Sequence, residues 1–307
     1  MRARAPASTA NLGPGFDTLA LALQLYVEVE VEPAPKLMVR AEGEGADLEE
    51  EEAGHLAARV AIDVTGHDRL AITIRSQIPV ARGLGSSAAL AAASAAAAGS
   101  KDPLGVAARF DGHPENAAAS VVGGLLAATL VKGAVRAVRL PLDGGLSYVV
   151  VVPERALATS KARQALPHEV SRADATFNLG RMALLLAGMA NRSLLIREAT
   201  EDRLHQDYRS PLFPEAPQLL SRLLQEGALA TCWSGAGPSV LGICDAGSGE
   251  RVRSGAEAAM EEIGVPGKVL LLKADLDGLV VDGSSGRLPR RHAPYDLVAE
   301  GPDPTLG

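Results

Sequence analysis

The feature that most constrains the fold is a strand, a glycine-rich loop and an alanine-rich helix that follow one another between residues 70 and 99. Apolar residues alternate with smaller or polar ones over 70–74, which is the period-two pattern of a half-buried strand. Residues 80–87 form the glycine-rich loop, and the run AALAAASAAAA at 88–98 consists mostly of alanine, the strongest helix former. Gly99 then provides a helix end. This order predicts a protein of mixed helices and strands.

Composition determines how such a chain can build its core. Hydrophobic residues make up 47% of the 307 residues but aromatic residues only 3%, so alanine, valine and leucine must fill the interior. A chain of this length forms one large domain or two smaller ones, since domains commonly hold about 100–200 residues. Pro and Gly interrupt the pattern at 141–147. We therefore predict an N-terminal domain at 1–145, a C-terminal domain at 146–282 and a poorly packed tail at 283–307.

Charge, cysteine content and hydropathy argue against several classes of partner. The formal net charge is -7 and no run of Lys or Arg forms a stripe, so nucleic acid is not an expected partner. Cys232 and Cys244 form no Cys-x-x-Cys pattern, so we expect neither a disulfide framework nor a zinc site, and a reducing cytoplasm suits the chain. The first residues lack the apolar segment of a signal peptide. Apolar stretches are shorter than the about 20 residues that span a bilayer, so we expect no membrane partner.

Patterning along the rest of the chain predicts further elements. Alternation over 19–31 predicts a strand whose glutamates face water. The uniformly apolar YVVVVP at 148–153 predicts a fully buried strand. The acidic run at 48–52 is interpreted as a helix start or a solvated loop rather than as a site. The other predicted elements are a loop at 159–163, helices at 175–189, 196–208 and 217–227, and strands at 228–233, 240–244 and 269–272, the last of the chain.

The glycine-rich loop is the strongest local indication of chemistry. Gly83 and Gly85 allow positive φ angles and a close approach of the backbone to a ligand, and Ser86 and Ser87 stand where the helix begins. Free N–H groups and the dipole at a helix start favour a phosphate there. Alternatively Ser86 merely caps the helix, and this stretch alone does not decide between the two. No Lys-Ser or Lys-Thr pair closes the loop, so it is not a Walker A loop.

Two further glycine-rich turns add to this loop. They are PASTANLGPGFD at 6–17 and SGAGPS at 234–239. Together with PVARGLGSSA at 79–88 they resemble the three motifs of the GHMP kinase superfamily, in the expected order. Within that superfamily the chain resembles the homoserine kinase family, from residue 4 to about residue 272. Four more segments carry this resemblance: GHPEN at 112–116, TSKAR at 159–163, FNLGR at 177–181 and HQDYR at 205–209.

The resemblance implies a fold and an activity. It implies an α+β, two-domain GHMP kinase fold, with an N-terminal domain like ribosomal protein S5 domain 2 and a C-terminal ferredoxin-like domain. It implies ATP-dependent phosphorylation of the side-chain hydroxyl of L-homoserine in threonine biosynthesis, with Mg²⁺ as the metal. Homodimers are common in the family, so a homodimer is a further expectation.

The resemblance also implies which residues act. Those expected to bind the nucleotide are Pro79, Arg82, Gly83, Leu84, Gly85, Ser86 and Ser87. Those expected to bind the substrate are Asn11, Asp17, His113 and Glu115 around its ammonium and hydroxyl, and Arg163 and Arg209 on its carboxylate. Asn116, Arg163 and Thr159 are expected at the reacting groups, and Ser87 and Asp111 at the metal. Because an amide cannot serve as a general base, Asn116 implies catalysis by positioning and electrostatics.

The residues themselves leave alternatives open. Asn11 and Asp17 could hold a tight turn, and His113 could be a structural donor. The two arginines could form ordinary surface ion pairs.

The chain also departs from the family pattern at several positions. Asp111 stands near the place of a usual glutamate, and the neighbouring Arg109 could instead offset phosphate charge. Glu115 replaces the usual aspartate, and His55 stands where an asparagine often contacts adenine. Two other functions therefore stay open: a GHMP kinase for another small hydroxy acid or alcohol, and a non-catalytic nucleotide or amino-acid binder.

Overall fold

The chain forms two β-sheets, each covered by helices. A computed structural model describes residues 1–47 and 55–282 and, beyond these, the strand at 297–298. Its strands are β1 (Arg2–Asn11), β2 (Gly15–Pro33), β3 (Met38–Gly43), β4 (Leu70–Ser76), β5 (Leu125–Val131), β6 (Ala134–Leu140), β7 (Leu146–Pro153), β8 (Ala230–Trp233), β9 (Val240–Asp245), β10 (Gly267–Leu272), β11 (Val280–Val281) and β12 (Leu297–Val298). Its helices are α1 (Leu56–Thr65), α2 (Ser86–Ala97), α3 (Pro103–Asp111), α4 (Pro114–Val122), α5 (Thr159–Gln164), α6 (Arg172–Ala190), α7 (Gln206–Arg209), α8 (Ala216–Gln225) and α9 (Gly249–Ile263).

The first sheet is organised around the long strand β2. Strands β1, β4 and β5 pair antiparallel with it, and the order through the sheet is β11-β1-β2-β5-β6-β12, with β3 parallel beside β4. Val27, Val29 and Val31 of β2 are buried, whereas the glutamates that alternate with them are partly or fully exposed. The alternating strand predicted at 19–31 is therefore confirmed.

The packing of helix α2 against the first sheet and the neighbouring helices explains why it consists mostly of alanine. It packs against β1 and β2 and against α1, α3 and α4. Its buried residues are Ala88, Ala89 and residues 91–97. Close packing on several sides requires neighbours to approach the helix backbone, and small side chains allow this. The helix predicted at 88–98 is confirmed, although it begins earlier, at Ser86.

The second sheet has the order β10-β7-β9-β8, and each pair is antiparallel. Every residue of β7 is buried, as the apolar run at 148–153 predicts. Val149 and Val151 join a core with α8 and α9, while Tyr148 and Val150 face the core shared with the first sheet. The order strand, helices, two strands, helix, strand is the ferredoxin-like arrangement. The predicted α+β fold with a ferredoxin-like C-terminal part is confirmed.

Several predicted elements match, and two do not. The predicted helices at 175–189 and 217–227 are α6 and α8, and the predicted strands at 228–233, 240–244 and 269–272 are β8, β9 and β10. The prediction of a loop at 159–163 is wrong. These residues form helix α5, and Ala162 is buried in the core between the second sheet and helices α8 and α9.

The continuous helix predicted at 196–208 is also wrong. A 3₁₀ turn at Arg197–Thr200 is followed by a break and then by α7. The cause is Asp202, whose carboxylate accepts hydrogen bonds from the backbone N–H groups of residues 204–206 at 2.7–2.9 Å. Such local capping offers the backbone an alternative to a continuous helix.

The chain returns to the first sheet after β10, so the prediction that 269–272 is the last strand is wrong. The N–H of Asp275 donates to the carbonyl of Ala22, and the carbonyl of Asp275 accepts from the N–H of Gly124. Farther along the chain, β11 pairs with β1. The division at 145/146 stays a prediction, but residues 273–282 pack on the first sheet rather than on the second. Strand β12 pairs with β6.

Two predictions fall on parts of the chain that are not described. The acidic run at 48–52 lies outside the described residues, and so does the predicted tail at 283–307 apart from β12. Across the described part of the chain, no helix is both long enough and apolar enough to span a bilayer.

Candidate active site

A cavity of about 260 Å³ lies where the three glycine-rich turns meet. It is lined by the turns that contain Asn11, Gly83 and Gly235 and by the starts of helices α2 and α5. All the residues expected at the site line this cavity except Pro79 and Arg82. Their assembly from distant parts of the chain makes this cavity the candidate active site.

The glycine-rich loop ends in a helix start that is open to a ligand. Gly83 and Gly85 both adopt positive φ, at 74° and 63°. Gly85 is the cap residue of α2, and no side chain caps this helix, so Ser86 does not have the capping role that was the alternative. The backbone N–H groups of residues 85–88 donate to no other residue that the structure describes. Such N–H groups suit an anion.

The same loop is held firmly from the other side. A Cβ at Gly83 would lie 2.1 Å from the carbonyl oxygen of Ser234, and the Ser234 hydroxyl donates to the Gly83 carbonyl at 2.7 Å. The guanidinium of Arg82 donates to the carbonyls of Val80, Pro153 and Glu154. Arg82 therefore fixes the loop to the end of β7, and it is not among the residues that line the cavity.

An unpaired carboxylate oxygen lies on one side of the cavity. Glu115 is 2% exposed, and its Oε1 accepts from the amide of Asn116 at 3.1 Å. Its Oε2 is buried and has no hydrogen-bond partner among the residues described. Burial raises the pKa of Glu115 to about 7, because it disfavours the charged form. A ligand with a cationic donor group would give this oxygen a hydrogen bond and balance the charge of the ionised carboxylate.

Asn116 is oriented by two neighbours. Its amide nitrogen donates to Glu115, and its Oδ1 accepts from the hydroxyl of Ser8 at 2.8 Å. Ser8 is fully buried in β1. Ser8 belongs to the first motif, but no pattern in the sequence marks it as a residue of the site. Only the tertiary fold shows that it fixes the direction of the amide.

His113 and Asp111 form a pair beside Glu115. The Nδ1 of His113 lies 3.0 Å from the backbone oxygen of Asp111 and 3.5 Å from its carboxylate. Hydrogen bonding to Asp111 raises the pKa of His113. Asp111 and Ser87 line the same cavity. Within the described ranges, no three side chains of His, Cys, Asp or Glu are grouped closely enough to hold a metal ion by themselves.

Asp17 and Arg163 pair with each other across the cavity. One guanidinium nitrogen of Arg163 lies 3.0 Å from each carboxylate oxygen of Asp17, and both side chains are more than a third exposed. Thr159, at the start of the same helix as Arg163, is exposed. This pair is therefore accessible from the cavity and can be opened by a ligand.

Arg209 differs from Arg163 because it is 3% exposed. Its Nη1 donates to the Gly235 carbonyl at 3.0 Å and contacts Nδ1 of His205 at 3.1 Å. Its Nε has no partner among the described residues. Burial lowers the pKa of Arg209 to about 10, which leaves it charged at neutral pH. A buried, incompletely paired guanidinium is suited to bind a carboxylate.

Two residues of the first motif have structural roles. Asn11 holds the turn between β1 and β2, which was the alternative to a binding role. Its Oδ1 accepts from the N–H of Asp17 at 3.0 Å, and its amide nitrogen donates to the carbonyl of Gly235 at 2.9 Å. Phe16, which the sequence analysis missed, lies within 6 Å of both guanidinium groups, at 5.8 Å from Arg163 and 5.5 Å from Arg209. Its ring forms a common support for them.

His55 and Arg109 lie outside the lining of the cavity. His55 caps α1, where its Nδ1 accepts from the N–H of Ala57 at 3.2 Å. Arg109 forms an exposed ion pair with Asp63. The suggestion that Arg109 offsets phosphate charge therefore gains no support from its position.

Comparison with known proteins agrees with this geometry. The family model for the GHMP kinase N-terminal domain matches residues 52–124, and the model for the GHMP kinase C-terminal domain matches residues 178–262. A homoserine kinase of Streptomyces avermitilis is 41% identical over 269 residues, which cover 82% of this chain and 88% of that protein. The chain belongs to the homoserine kinase family. A homoserine kinase of Deinococcus radiodurans is 39% identical, over 91% of this chain and 96% of that protein.

Solved structures show the same fold. The crystal structure of a homoserine kinase from Cytophaga hutchinsonii matches with a TM-score of 0.79 at 24% identity, over 91% of this chain and 96% of that one. A mevalonate kinase from L. major, solved with R-mevalonate, matches with a TM-score of 0.69 at 14% identity, over 89% of this chain and 95% of that one. The fold is therefore shared by a homoserine kinase and by a kinase of another small alcohol, mevalonate.

Proposed function

We propose that the protein transfers the γ-phosphoryl group of ATP to the side-chain hydroxyl of L-homoserine, the reaction of a threonine-biosynthesis enzyme. The observation that carries the proposal is a pair of opposite, incompletely satisfied charges in one cavity. Glu115 offers a buried carboxylate oxygen without a partner, and Arg209 offers a buried guanidinium whose Nε has none among the described residues. An acceptor that carries both an ammonium and a carboxylate would satisfy both groups at once.

The Asp17–Arg163 pair supports a zwitterionic acceptor. The two side chains neutralise each other in the free protein and are exposed enough to separate. An amino acid can insert between them, with its ammonium toward Asp17 and its carboxylate toward Arg163, so that each charge exchanges one partner for another. We assign the carboxylate to Arg163 and Arg209 together, and the ammonium to Asp17 and Glu115. Homoserine kinases at 39–41% identity make homoserine the first candidate.

The glycine-rich loop would bind the triphosphate. The N–H groups of residues 85–88 and the start of α2 supply hydrogen bonds and a positive dipole end to phosphate oxygens. Leu84 is buried and its carbonyl accepts from the Ser8 N–H at 3.1 Å, which anchors the loop to β1. The loop is thus fixed before a ligand arrives. Pro79 and Arg82 stay predictions as nucleotide contacts, and so does an adenine contact that differs from the family pattern at His55.

Ser87 and Asp111 would hold Mg²⁺. A hydroxyl and a carboxylate are hard oxygen ligands, and Mg²⁺ commonly takes only one or two carboxylates while water and phosphate complete its shell. The two residues line one cavity beside the loop, so this donor set fits the ion even without a cluster of three ligating side chains among the described residues. When bound, Mg²⁺ would balance negative charge on the phosphate oxygens.

The chemical step needs no general base from the protein. The homoserine hydroxyl oxygen forms a bond to the γ-phosphorus while the bond from that phosphorus to the bridging oxygen of ADP breaks. The hydroxyl proton leaves to a phosphate oxygen or to solvent. Asn116, held by Ser8 and Glu115, presents an oriented amide that positions the hydroxyl. Thr159 at the start of α5 and Arg163 near its end line the same cavity and would contact the reacting groups.

Replacement of Asn116 tests this mechanism. We expect Asn116→Ala to lower kcat by about 10- to 100-fold, the effect of one lost positioning hydrogen bond, without abolishing turnover. Steady-state assays of ADP release with homoserine would measure it, with Ser87→Ala as a comparison that affects the nucleotide side. Complete loss of turnover in a folded Asn116→Ala protein would contradict a mechanism without an essential group at this position.

A panel of acceptors tests the identity of the substrate. Wild-type protein should phosphorylate homoserine, but neither its decarboxylated analogue nor mevalonate at a comparable kcat/KM, because each lacks one of the two charges. Equal use of all three would favour the alternative of a kinase for another small alcohol. ATP binding without ADP release above background would favour the non-catalytic binder. A homodimer and a cytoplasmic location stay predictions.

A further inference from the structure

His205 is fully buried, and each of its ring nitrogens has one close partner. Its Nε2 lies 2.8 Å from the carbonyl oxygen of Gly13, and its Nδ1 lies 3.1 Å from Nη1 of Arg209. A carbonyl oxygen can only accept, so Nε2 must carry the proton. A guanidinium can only donate, so Nδ1 must be unprotonated. The two contacts together select one neutral tautomer of His205.

Other contacts agree with a neutral, fixed ring. Burial lowers the pKa of His205 to about 4, so the ring is uncharged at neutral pH. Asp202 fixes the backbone of this segment by accepting the His205 N–H at 2.8 Å, and its carboxylate lies 3.6 Å from Nε2, farther than the Gly13 carbonyl. Phe16 stacks on the imidazole with ring centroids 5.2 Å apart and planes at 26°. The ring therefore has little freedom to rotate.

This arrangement uses one end of the Arg209 guanidinium and leaves the other open. Nη1 has two N–H bonds, and it donates one to His205 and one to the Gly235 carbonyl at 3.0 Å. The Nε has no partner and the Nη2 has no hydrogen bond to any residue in the described part of the chain. Nε and Nη2 form one edge of the guanidinium, and two parallel N–H bonds from such an edge match a carboxylate.

We propose that His205 is a positioning residue for the substrate: its unprotonated Nδ1 holds Nη1 of Arg209 so that the Nε and Nη2 edge is presented to the carboxylate of the acceptor. This inference rests on the proposed function, because it takes Arg209 as the carboxylate ligand. His205 does not touch the acceptor itself. It connects the turn at Gly13, in the first sheet, to the side chain that recognises the carboxylate.

Two substitutions separate the positioning role from a structural one. In His205→Gln, the terminal amide reaches as far as Nε2 and can still donate to Gly13, but nothing replaces the acceptor at Nδ1. In His205→Asn, Oδ1 is attached to Cγ as Nδ1 is and can still accept from Arg209, but the bond to Gly13 is lost. The experiment measures KM for homoserine, KM for ATP, kcat and the unfolding temperature of both variants and of the wild type.

The positioning role predicts opposite behaviour of the two variants. His205→Gln should raise KM for homoserine by about 10- to 100-fold, the usual effect of a lost hydrogen bond to a charged group, with KM for ATP within about twofold. His205→Asn should unfold at a lower temperature but recover KM for homoserine to within about threefold of wild type.

The reverse pattern would overturn the proposal. If KM for homoserine rises equally in both variants, or rises more in His205→Asn, the side chain acts only through the stability of the fold. If His205→Gln does not fold, His205→Asn still decides, since a more than tenfold rise in KM with the acceptor retained would contradict the positioning role. Failure of the wild type to phosphorylate homoserine would instead refute the proposed function, so the two failures are distinguishable.

Discussion

The two sides of the candidate active site recognise their ligands by different means. Residues 83–88 on the nucleotide side have no charged side chains, and they present backbone N–H groups at the start of α2. The acceptor side presents Asp17, Glu115, Arg163 and Arg209, which come from distant parts of the chain. Backbone groups suffice for a phosphate chain that many enzymes share, whereas an acceptor of particular shape and charge needs side chains. Apart from the Ser87 hydroxyl, the nucleotide side should tolerate changes of side chain but not of backbone conformation. The acceptor side should be sensitive to changes of its charged side chains.

The acceptor side itself contains two different arginines. Arg209 is buried and fixed by Gly235 and His205, whereas the Arg163 side chain is 49% exposed and pairs with Asp17. A buried guanidinium can strongly favour one geometry of the carboxylate, because the low local dielectric strengthens its hydrogen bonds. An exposed one contributes less in the same position. We therefore expect specificity to depend more on Arg209 than on Arg163.

Removal of Arg209 should have the largest effect. Arg209→Ala takes away the buried partner of the acceptor carboxylate, which typically costs about 2–5 kcal/mol, so kcat/KM for homoserine should fall by about 10³-fold. Arg209→Lys keeps a charge but not the two parallel donors and should recover only a small part. ATP binding, measured by calorimetry in the same variants, should be unchanged. A fall of less than tenfold in Arg209→Ala would show that Arg163 alone binds the carboxylate.

The backbone of the nucleotide side can be tested at Gly85. A Cβ there would lie 2.0 Å from the Ser8 hydroxyl, at a residue with φ of 63°. Gly85→Ala should weaken ATP binding by about 2–3 kcal/mol, since the loop must move and a non-glycine residue in this region is strained. Gly144→Ala is the matched control, because nothing lies within 4 Å of its Cβ. Unchanged ATP affinity in Gly85→Ala would disprove the role of the loop.

The pH dependence of stability tests the buried carboxylate of Glu115. Its pKa in the folded protein is about 7, above the ordinary 4.5, so the folded state binds the proton more strongly. Stability therefore falls as pH rises from about 4.5 to about 7, and the loss persists above that range. Glu115→Gln removes this dependence. Urea denaturation would measure the free energy of unfolding of Glu115→Gln and of the wild type. The difference, variant minus wild type, should rise by about 2 kcal/mol between pH 5 and pH 8.

The same titration should appear in substrate binding. An ionised Glu115 is needed to receive an ammonium group, so KM for homoserine should decrease as pH rises through 7 in the wild type. Glu115→Gln should have a higher KM that is constant across this range. A wild-type KM that does not change with pH would place the ammonium on Asp17 alone.

Arg109 should have the smallest effect. It pairs with Asp63 at the surface and does not line the cavity. Arg109→Ala should leave kcat and both KM values within about twofold of wild type, as is usual for exposed ion pairs. This outcome would exclude the suggestion that Arg109 offsets phosphate charge. A fall in kcat of more than tenfold would place Arg109 in the phosphoryl-transfer machinery.

The sequence predicts best where local patterns decide the structure. The alternation of β2, the apolar run of β7 and the alanine run of α2 each reflect burial that repeats with the period of the element. Motif resemblance, rather than periodicity, predicts the residues of the cavity. Resemblance also identified the segments that contain Ser8, Phe16 and His205, but not these three residues, because their roles depend on contacts with distant side chains.

The wrong predictions have tertiary or side-chain causes. Residues 196–208 have helical composition, but the Asp202 carboxylate accepts hydrogen bonds from the N–H groups of residues 204–206, so α7 begins there as a separate helix. Residues 159–163 look like a polar loop, but burial of Ala162 stabilises a helix. Hydrophobic periodicity shows neither the hydrogen bonds of Asp202 nor the burial of Ala162.

The return of the chain to β1 has a consequence for synthesis on the ribosome. Strand β11, at Val280–Val281, pairs with β1, near the opposite end of the sequence. A nascent chain that has emerged only to residue 145 lacks this neighbour, and the edge of β1 then presents unpaired N–H and C=O groups. The first sheet can acquire its edge strand only after the whole second sheet has been translated. Folding of the N-terminal half is therefore completed by residues that are made only after the whole second sheet.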